Sequence, residues 1–306
     1  MSTPHIVRVA ACAYPVERLS SFAQYEDKQA RWVEDASGQG AQLLVFPEYA
    51  SMELSSLLGD EARATLEAEL SGVQPFLAPM LQLFASLAAR FNVHVLSPSF
   101  PEQIAGVARN RARLHAPSGE SVVVEKQQMT RFESEQWGIA PGEAGAHVID
   151  SALGTIGVAI CYDSEFPLLV RRQVEAGADL VLVPSCTETL AGHHRVQIGS
   201  RARALENQCY VVQAPTVGQA PWSHAIDDNH GAAGIYGPVD SAVKSDGVIA
   251  QGAIDAPGWV IAELDFDALA RVRAHGQVRN YRDWSQPAHV AGRVERLALR
   301  RRSPSR

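Results

Sequence analysis

Short, largely apolar runs recur along the chain, and each ends abruptly in polar or turn-forming residues. Leu43-Leu44-Val45-Phe46 stops at Pro47-Glu48, Val93 to Leu96 stops at Ser97-Pro98, and Val122-Val123-Val124 stops at Glu125-Lys126. Ile156 to Ile160 stops at Cys161-Tyr162-Asp163, and Leu180 to Val183 stops at Pro184-Ser185. Runs this short and rich in Val, Ile and Leu predict strands covered on both faces. Longer stretches of helical composition lie between several of them: Tyr25 to Ala36, Pro75 to Arg90, Phe166 to Ala176 and Ala191 to Asn207. Gly177 is placed to stop the third of these helices. Arg111 to Ala116 and Ser121 to Val124 flank Pro117-Ser118-Gly119-Glu120, which predicts a hairpin. The pattern is an α/β chain with a mixed sheet and helical layers, not a simple doubly wound fold. With no internal repeat or linker, it reads as one domain over residues 1–290, followed by a basic tail at 291–306.

Composition narrows the functional classes. The chain has 306 residues, 46% hydrophobic and 20% charged, enough to bury a core without disulfides or structural metal. A net charge of −7 gives no electrostatic footprint for nucleic acid. No stretch approaches the roughly 18 consecutive apolar residues of a membrane helix, and the chain enters a predicted strand at Ile6 without signal-peptide features. The cysteines, Cys12, Cys161, Cys186 and Cys209, are far apart, with no CxxC pair to suggest zinc or a redox motif. Adjacent His193 and His194 diverge on a helix and lack a third ligand nearby, so no metal is expected. The expectation is a reduced, cytoplasmic protein without membrane or nucleic-acid partners.

Strand ends that face loops are where open α/β folds place their sites. Three of these ends carry reactive side chains of different kinds: Glu48, Lys126 and Cys161. The set is chemically coherent. A carboxylate accepts a thiol proton, an ammonium favours the thiolate, and the thiolate is the competent nucleophile. Attack on an amide or nitrile carbon builds negative charge, which a lysine and the backbone N–H of Tyr162 are placed to stabilise.

The segments carrying these residues resemble the signature regions of the nitrilase superfamily, or carbon–nitrogen hydrolases. They are Leu44-Val45-Phe46-Pro47-Glu48, the stretch from Glu125-Lys126 to Pro141-Gly142, and Gly157 to Pro167 around Cys161. Arg201-Ala202-Arg203-Ala204-Leu205-Glu206-Asn207-Gln208 is a fourth, and the similarity runs in order from about Val7 to Asp283. The resemblance implies a four-layer α-β-β-α sandwich that pairs with a second subunit. It matches Glu48 to the family's general base, Lys126 to its transition-state lysine and Cys161 to its nucleophile. It also implies a second site glutamate shortly before a Pro-Gly pair; Glu135 fits that spacing, with Glu133 as the alternative. No cofactor has a task in such a scheme.

Cys161-Tyr162-Asp163 differs from the Cys-Trp-Glu usual in family nitrilases and resembles the amidase and carbamoylase branches. The expected activity is therefore hydrolysis of a small amide, with release of ammonia and an acid. The alternatives are an N-carbamoyl hydrolase or nitrilase, an acyl transferase, or a non-catalytic scaffold. The Lys126 region is similar to a branch in which some proteins also carry an acetyltransferase domain. In the loop after Pro184-Ser185, Arg195 is a candidate for a substrate carboxylate and Glu188 for an amino group. Arg201, Arg203 and Glu206 read as a structural ion-pair network. The expected partners are the amide substrate and a second copy of the chain.

Overall fold

The computed structural model describes residues 5–143, 145–284 and 296, so the expected tail at 291–306 lies, apart from residue 296, outside the described residues. The strand Ile6–Pro15 is the hub. It pairs in parallel with Leu43–Val45 and antiparallel with Gly258–Asp265 over most of its length. At Tyr14 and Pro15 it switches to Thr216 and Val217 of the strand Tyr210–Gln219. That short contact joins two halves into one curled, mixed sheet.

The first half continues through His94–Leu96 and Val107–His115 to the hairpin strand Ser121–Glu125. The second runs from Tyr210–Gln219 through Leu180–Ser185 and Gly154–Val158 to Val148–Ser151.

Side chains alternate across a strand, so the hub feeds two cores. Val7, Val9, Ala11 and Ala13 join a cluster with Ile156, Leu180 and Tyr210 of the second half. Ala10, Cys12 and Tyr14 join another with Tyr25 and Val33 of the helix Phe22–Gly38 and with Met80 and Phe84 of Leu77–Phe91. On the second half, Val170 and Val174 of Pro167–Glu175 and Val196 and Ala204 of Leu190–Asn207 close the first cluster. The class is α/β with mixed pairing, as the apolar runs implied.

The expected hairpin forms at Val107–His115 and Ser121–Glu125, and all four expected helices fall within a few residues of their predicted ends. Gly177, at φ +106°, follows the third helix in a conformation that suits glycine. The second of these helices ends a longer stretch, Leu66–Phe91. It is long and apolar enough by composition to cross a membrane, although it contains no unbroken apolar run of that length. It is broken into Leu66–Gly72, a 3-10 turn at Gln74–Phe76 containing Pro75, and Leu77–Phe91, whose Met80, Phe84, Leu87 and Ala88 are buried in the core.

Pairing direction sets where the chemistry goes. Leu43–Val45, Ser121–Glu125, Gly154–Val158 and Leu180–Ser185 all run in the same sense, through the chain of parallel and double-antiparallel pairings that links them. Their C-terminal ends therefore share one edge. Glu48, Lys126, Cys161 and Cys186 each stand within three residues beyond one of these ends.

Candidate active site

Those ends surround a cavity of about 580 Å³, lined by Glu48, Lys126, Glu133, Cys161, Tyr162 and Cys186 among others. Lys126 is 1% exposed, and its Nζ donates to Glu48 Oε1 at 2.8 Å and to Glu133 Oε2 at 2.6 Å. Asn110 Nδ2 donates to the same Glu48 oxygen at 2.8 Å, and the Cys186 backbone N–H donates to Glu48 Oε2 at 3.0 Å. Glu133 also accepts from the Tyr49 hydroxyl at 2.9 Å and from the Thr130 hydroxyl at 2.9 Å. One ammonium thus lies between two buried carboxylates, each held by further donors. Such satisfaction is what makes buried charge tolerable.

Cys161 opens a 3-10 turn, Cys161–Glu165, with φ +50°, a strained value for a residue with a Cβ. The turn is held from several sides. Ser164 Oγ donates to the Cys161 carbonyl at 2.6 Å, and Arg203 Nη1 donates to the Ser164 carbonyl at 3.3 Å. Gly199 of the helix Leu190–Asn207 packs so close that a Cβ there would sit 2.9 Å from the Ser164 carbonyl oxygen. The first hydrogen bond of the turn runs from Asp163 N–H to the Ile160 carbonyl. The Tyr162 N–H precedes it at the start of the turn, next to Cys161 in the chain.

The electrostatics separate the two carboxylates. Burial lifts Glu48 above the ordinary carboxylate range, against the opposing pull of Lys126. Glu133 lies below that range because Lys126 and its hydrogen bonds outweigh burial. Lys126 is held cationic well above the usual range for lysine, its burial being outweighed by Glu48 and Glu133. The same ammonium thus leaves one carboxylate raised and the other lowered, the kind of separation that fits two carboxylates for different tasks. Burial and the charge of Glu48 push the Cys161 thiol well up. The pull of Lys126 toward the thiolate, expected from the sequence, is present but is outweighed by this desolvation.

The structure sets Glu133, the alternative, beside Lys126, and not Glu135. Glu135 is exposed and pairs with Arg131 one helical turn earlier, whereas Glu133 faces the cavity. The two differ by ~200° around a helix of about 100° per residue, so only one can point inward. A signal for the right choice was present: Thr130 and Glu133 form a capping box, with Glu133 at the third helical position and its side chain turned back toward Thr130.

Arg195 and Glu188 both line the cavity, as expected. Arg195, however, faces Glu165 with Nε 3.6 Å from Oε1, so part of its charge is already matched. Arg203 and Glu206 pair at 2.8 Å, while Arg201 donates to the Asp246 carbonyl instead. Asn110, Tyr49 and the Cys186 N–H went unnoticed in the sequence because they reach the site only through strand pairing and loop closure.

Comparison with known proteins identifies the family. The carbon–nitrogen hydrolase family profile matches residues 8–274. The probable hydrolase YhcX of Bacillus subtilis is 32% identical over 277 residues, covering 90% of this chain and 53% of YhcX, so the chain spans about half the length of that relative. A deaminated glutathione amidase of Synechocystis sp. is 33% identical over 251 residues, 77% of this chain and 84% of the relative. Nit3 of Saccharomyces cerevisiae, a member of branch 10 of the nitrilase superfamily, shares the fold, with a TM-score of 0.68 over 88% of this chain and 93% of Nit3 at 21% identity. The chain belongs to the carbon–nitrogen hydrolase family of the nitrilase superfamily.

Proposed function

We propose that this chain is an amidase-type hydrolase that cleaves the C–N bond of a small amide through a thioester on Cys161. The observation that carries the reading is the cavity in which a proton-accepting carboxylate, a neutral thiol and a locked ammonium meet. Glu48 takes the thiol proton as Cys161 Sγ attacks the carbonyl carbon. Lys126 Nζ and the Tyr162 N–H stabilise the oxyanion. When the tetrahedral adduct collapses, Glu48 gives its proton to the departing nitrogen, and ammonia leaves. Glu48 then removes a proton from water as it attacks the thioester, and the acid departs with the thiol restored.

The amide preference over a nitrile rests on Cys161-Tyr162-Asp163, and the amidase among the similar proteins supports it. For the substrate's far end, four carboxylates line the outer cavity, Glu165, Glu188, Asp227 and Asp228, against Arg131 and Arg195. Both arginines already face carboxylates, Glu135 and Glu165. That balance favours a neutral or amino-bearing amide over a dicarboxylate analogue. Self-association is part of the proposal: Leu168, Leu190, Ile198 and Leu205 are exposed on two neighbouring helices.

The test is ammonia release from a panel of amides, ureido acids and nitriles beside Cys161→Ala. Turnover of amides that vanishes in the variant is the expected result. Silence across the panel while Cys161 still reacts with iodoacetamide would favour acyl transfer, and an inert Cys161 would sink the hydrolase reading.

A further inference from the structure

Asp163 stands two residues beyond Cys161 and has no place in the reaction cycle above. Yet it is 2% exposed and uses both carboxylate oxygens. Oδ1 accepts from the Gln128 N–H at 2.7 Å and from the Gln127 N–H at 3.1 Å. Oδ2 accepts from the Ile160 N–H at 3.1 Å and from the Gln127 N–H at 3.2 Å. The donors belong to two separate strand ends. Gln127 and Gln128 directly follow Lys126, and Ile160 directly precedes Cys161.

We propose that Asp163 is a positioning residue that fixes Lys126 and Cys161 relative to one another by clasping the backbones on which both stand. The proposal rests on the reading of these two as the reacting groups. Its physical logic is distance. Lys126 and Cys161 come from different halves of the curled sheet and share no ladder hydrogen bond. The separation between ammonium and nucleophile is therefore set by whatever bridges the two loops, and a single carboxylate with three backbone donors is a short, stiff bridge. The anchored Ile160 N–H lies immediately before the residue with φ +50°, so the same clasp helps hold the strained turn.

Charge supports the geometry. Burial lifts the Asp163 carboxyl to about 7, against the pull of Lys126 and the three N–H donors. The other ionisable groups beside it are Glu125, itself paired with Arg111, and His147, which line the same small cavity. Protonation converts one oxygen into a hydroxyl that must donate, where only donors face it. The clasp loosens as the pH falls through about 7.

The experiment is Asp163→Asn in the full chain, with kcat, KM, thermal unfolding and the iodoacetamide rate of Cys161 measured together. The amide supplies one acceptor oxygen and sets an NH₂ against an N–H. The expected result is a fall in kcat of about 10²-fold, the scale of an ångström-level misplacement, with KM within about threefold of wild type. Cys161 should alkylate more slowly, and the part of the acid limb near pH 7 should disappear. Ser164→Ala, which removes only the hydroxyl bond to the Cys161 carbonyl, serves as the structural control on the same turn.

A kcat within about threefold of wild type, or parallel losses in kcat, KM and melting temperature like those of the control, would overturn the proposal. If Asp163→Asn does not fold, Asp163→Glu decides: it keeps the charge and must lower kcat while moving the limb midpoint. A wild-type kcat that stays flat from pH 8 to pH 5.5 would also overturn it. Wild-type turnover with an unaffected Asp163 variant defeats only this inference. A wild type that hydrolyses nothing defeats the proposed function first.

Discussion

The molecule holds two buried lysine–glutamate clusters of similar make-up, and they differ in what surrounds them. In the first, Lys126 lies between Glu48 and Glu133. In the second, Lys28 donates to Glu53 at 2.5 Å and to the Pro15 carbonyl at 2.7 Å, and Glu53 also accepts from the Tyr14 hydroxyl and the Glu17 N–H. Burial raises Glu53 just as it raises Glu48. The second cluster has one buried carboxylate for its ammonium: Lys28 also meets Glu17 at 3.1 Å, but that carboxylate is 60% exposed, and the other partners of Glu53 are neutral groups. The first has one carboxylate more than its ammonium can neutralise, and it opens onto a cavity with a thiol. A buried ion pair alone is weak evidence of function. In the proposed function, a surplus carboxylate beside a thiol in a cavity is what separates the first cluster from the second.

The sharpest way to break that comparison is to remove the nucleophile. Cys161→Ala should abolish turnover, with a loss of at least about 10⁴-fold in kcat, while the melting temperature holds. Measured activity near wild type would make the first cluster as structural as the second. Next in size is the exchange of one member from each. Glu48→Gln should lower kcat by about 10²–10⁴-fold, as the loss of a general base does. Lys28→Met should instead lower stability by about 3–5 kcal/mol through the stranded Glu53, with kcat per folded molecule unchanged. Denaturant titration and active-site counting separate the two outcomes.

Glu133→Gln should cost kcat roughly tenfold to a hundredfold by loosening Lys126, while Glu135→Gln stays close to wild type. The reverse order would restore the sequence-based choice. The pH profile refines the division of labour. Burial lifts Glu48 above the ordinary carboxylate range, so kcat should fall as the pH drops through a midpoint above that range; a limb at or below it would place the base elsewhere. Stability runs oppositely for the two carboxylates. Glu133 is depressed, so its contribution is present above pH 4.5 and lost as the pH falls through its folded value. Glu48 is raised, so its contribution is present below 4.5 and lost as the pH rises through its folded value.

The smallest expected effect is at the rim. Arg195→Ala should raise KM by no more than about fivefold, and only for acidic amides, because an exposed, already paired charge contributes little. An equal change for neutral amides would mean that Arg195 shapes the cavity rather than reads charge.

The sequence by itself determined the strands at the apolar runs, the hairpin, the helix bounds to within a few residues, and that Glu48, Lys126 and Cys161 stand at strand ends. These follow from local signals: apolar runs ending at polar residues, a glycine after a helix, and strand ends that carry chemistry. The tertiary structure alone decided four things: that Glu133 rather than Glu135 accompanies Lys126, that burial pushes the Cys161 thiol up, that Asn110 and the Cys186 N–H hold Glu48, and that Asp163 spans two loops. Each depends on desolvation or on contacts between residues distant in sequence. Helix phase sets which glutamate faces inward, and burial sets which charge survives. A local pattern encodes where a residue stands along the chain, but its environment is fixed only when the two halves of the curled sheet close around it.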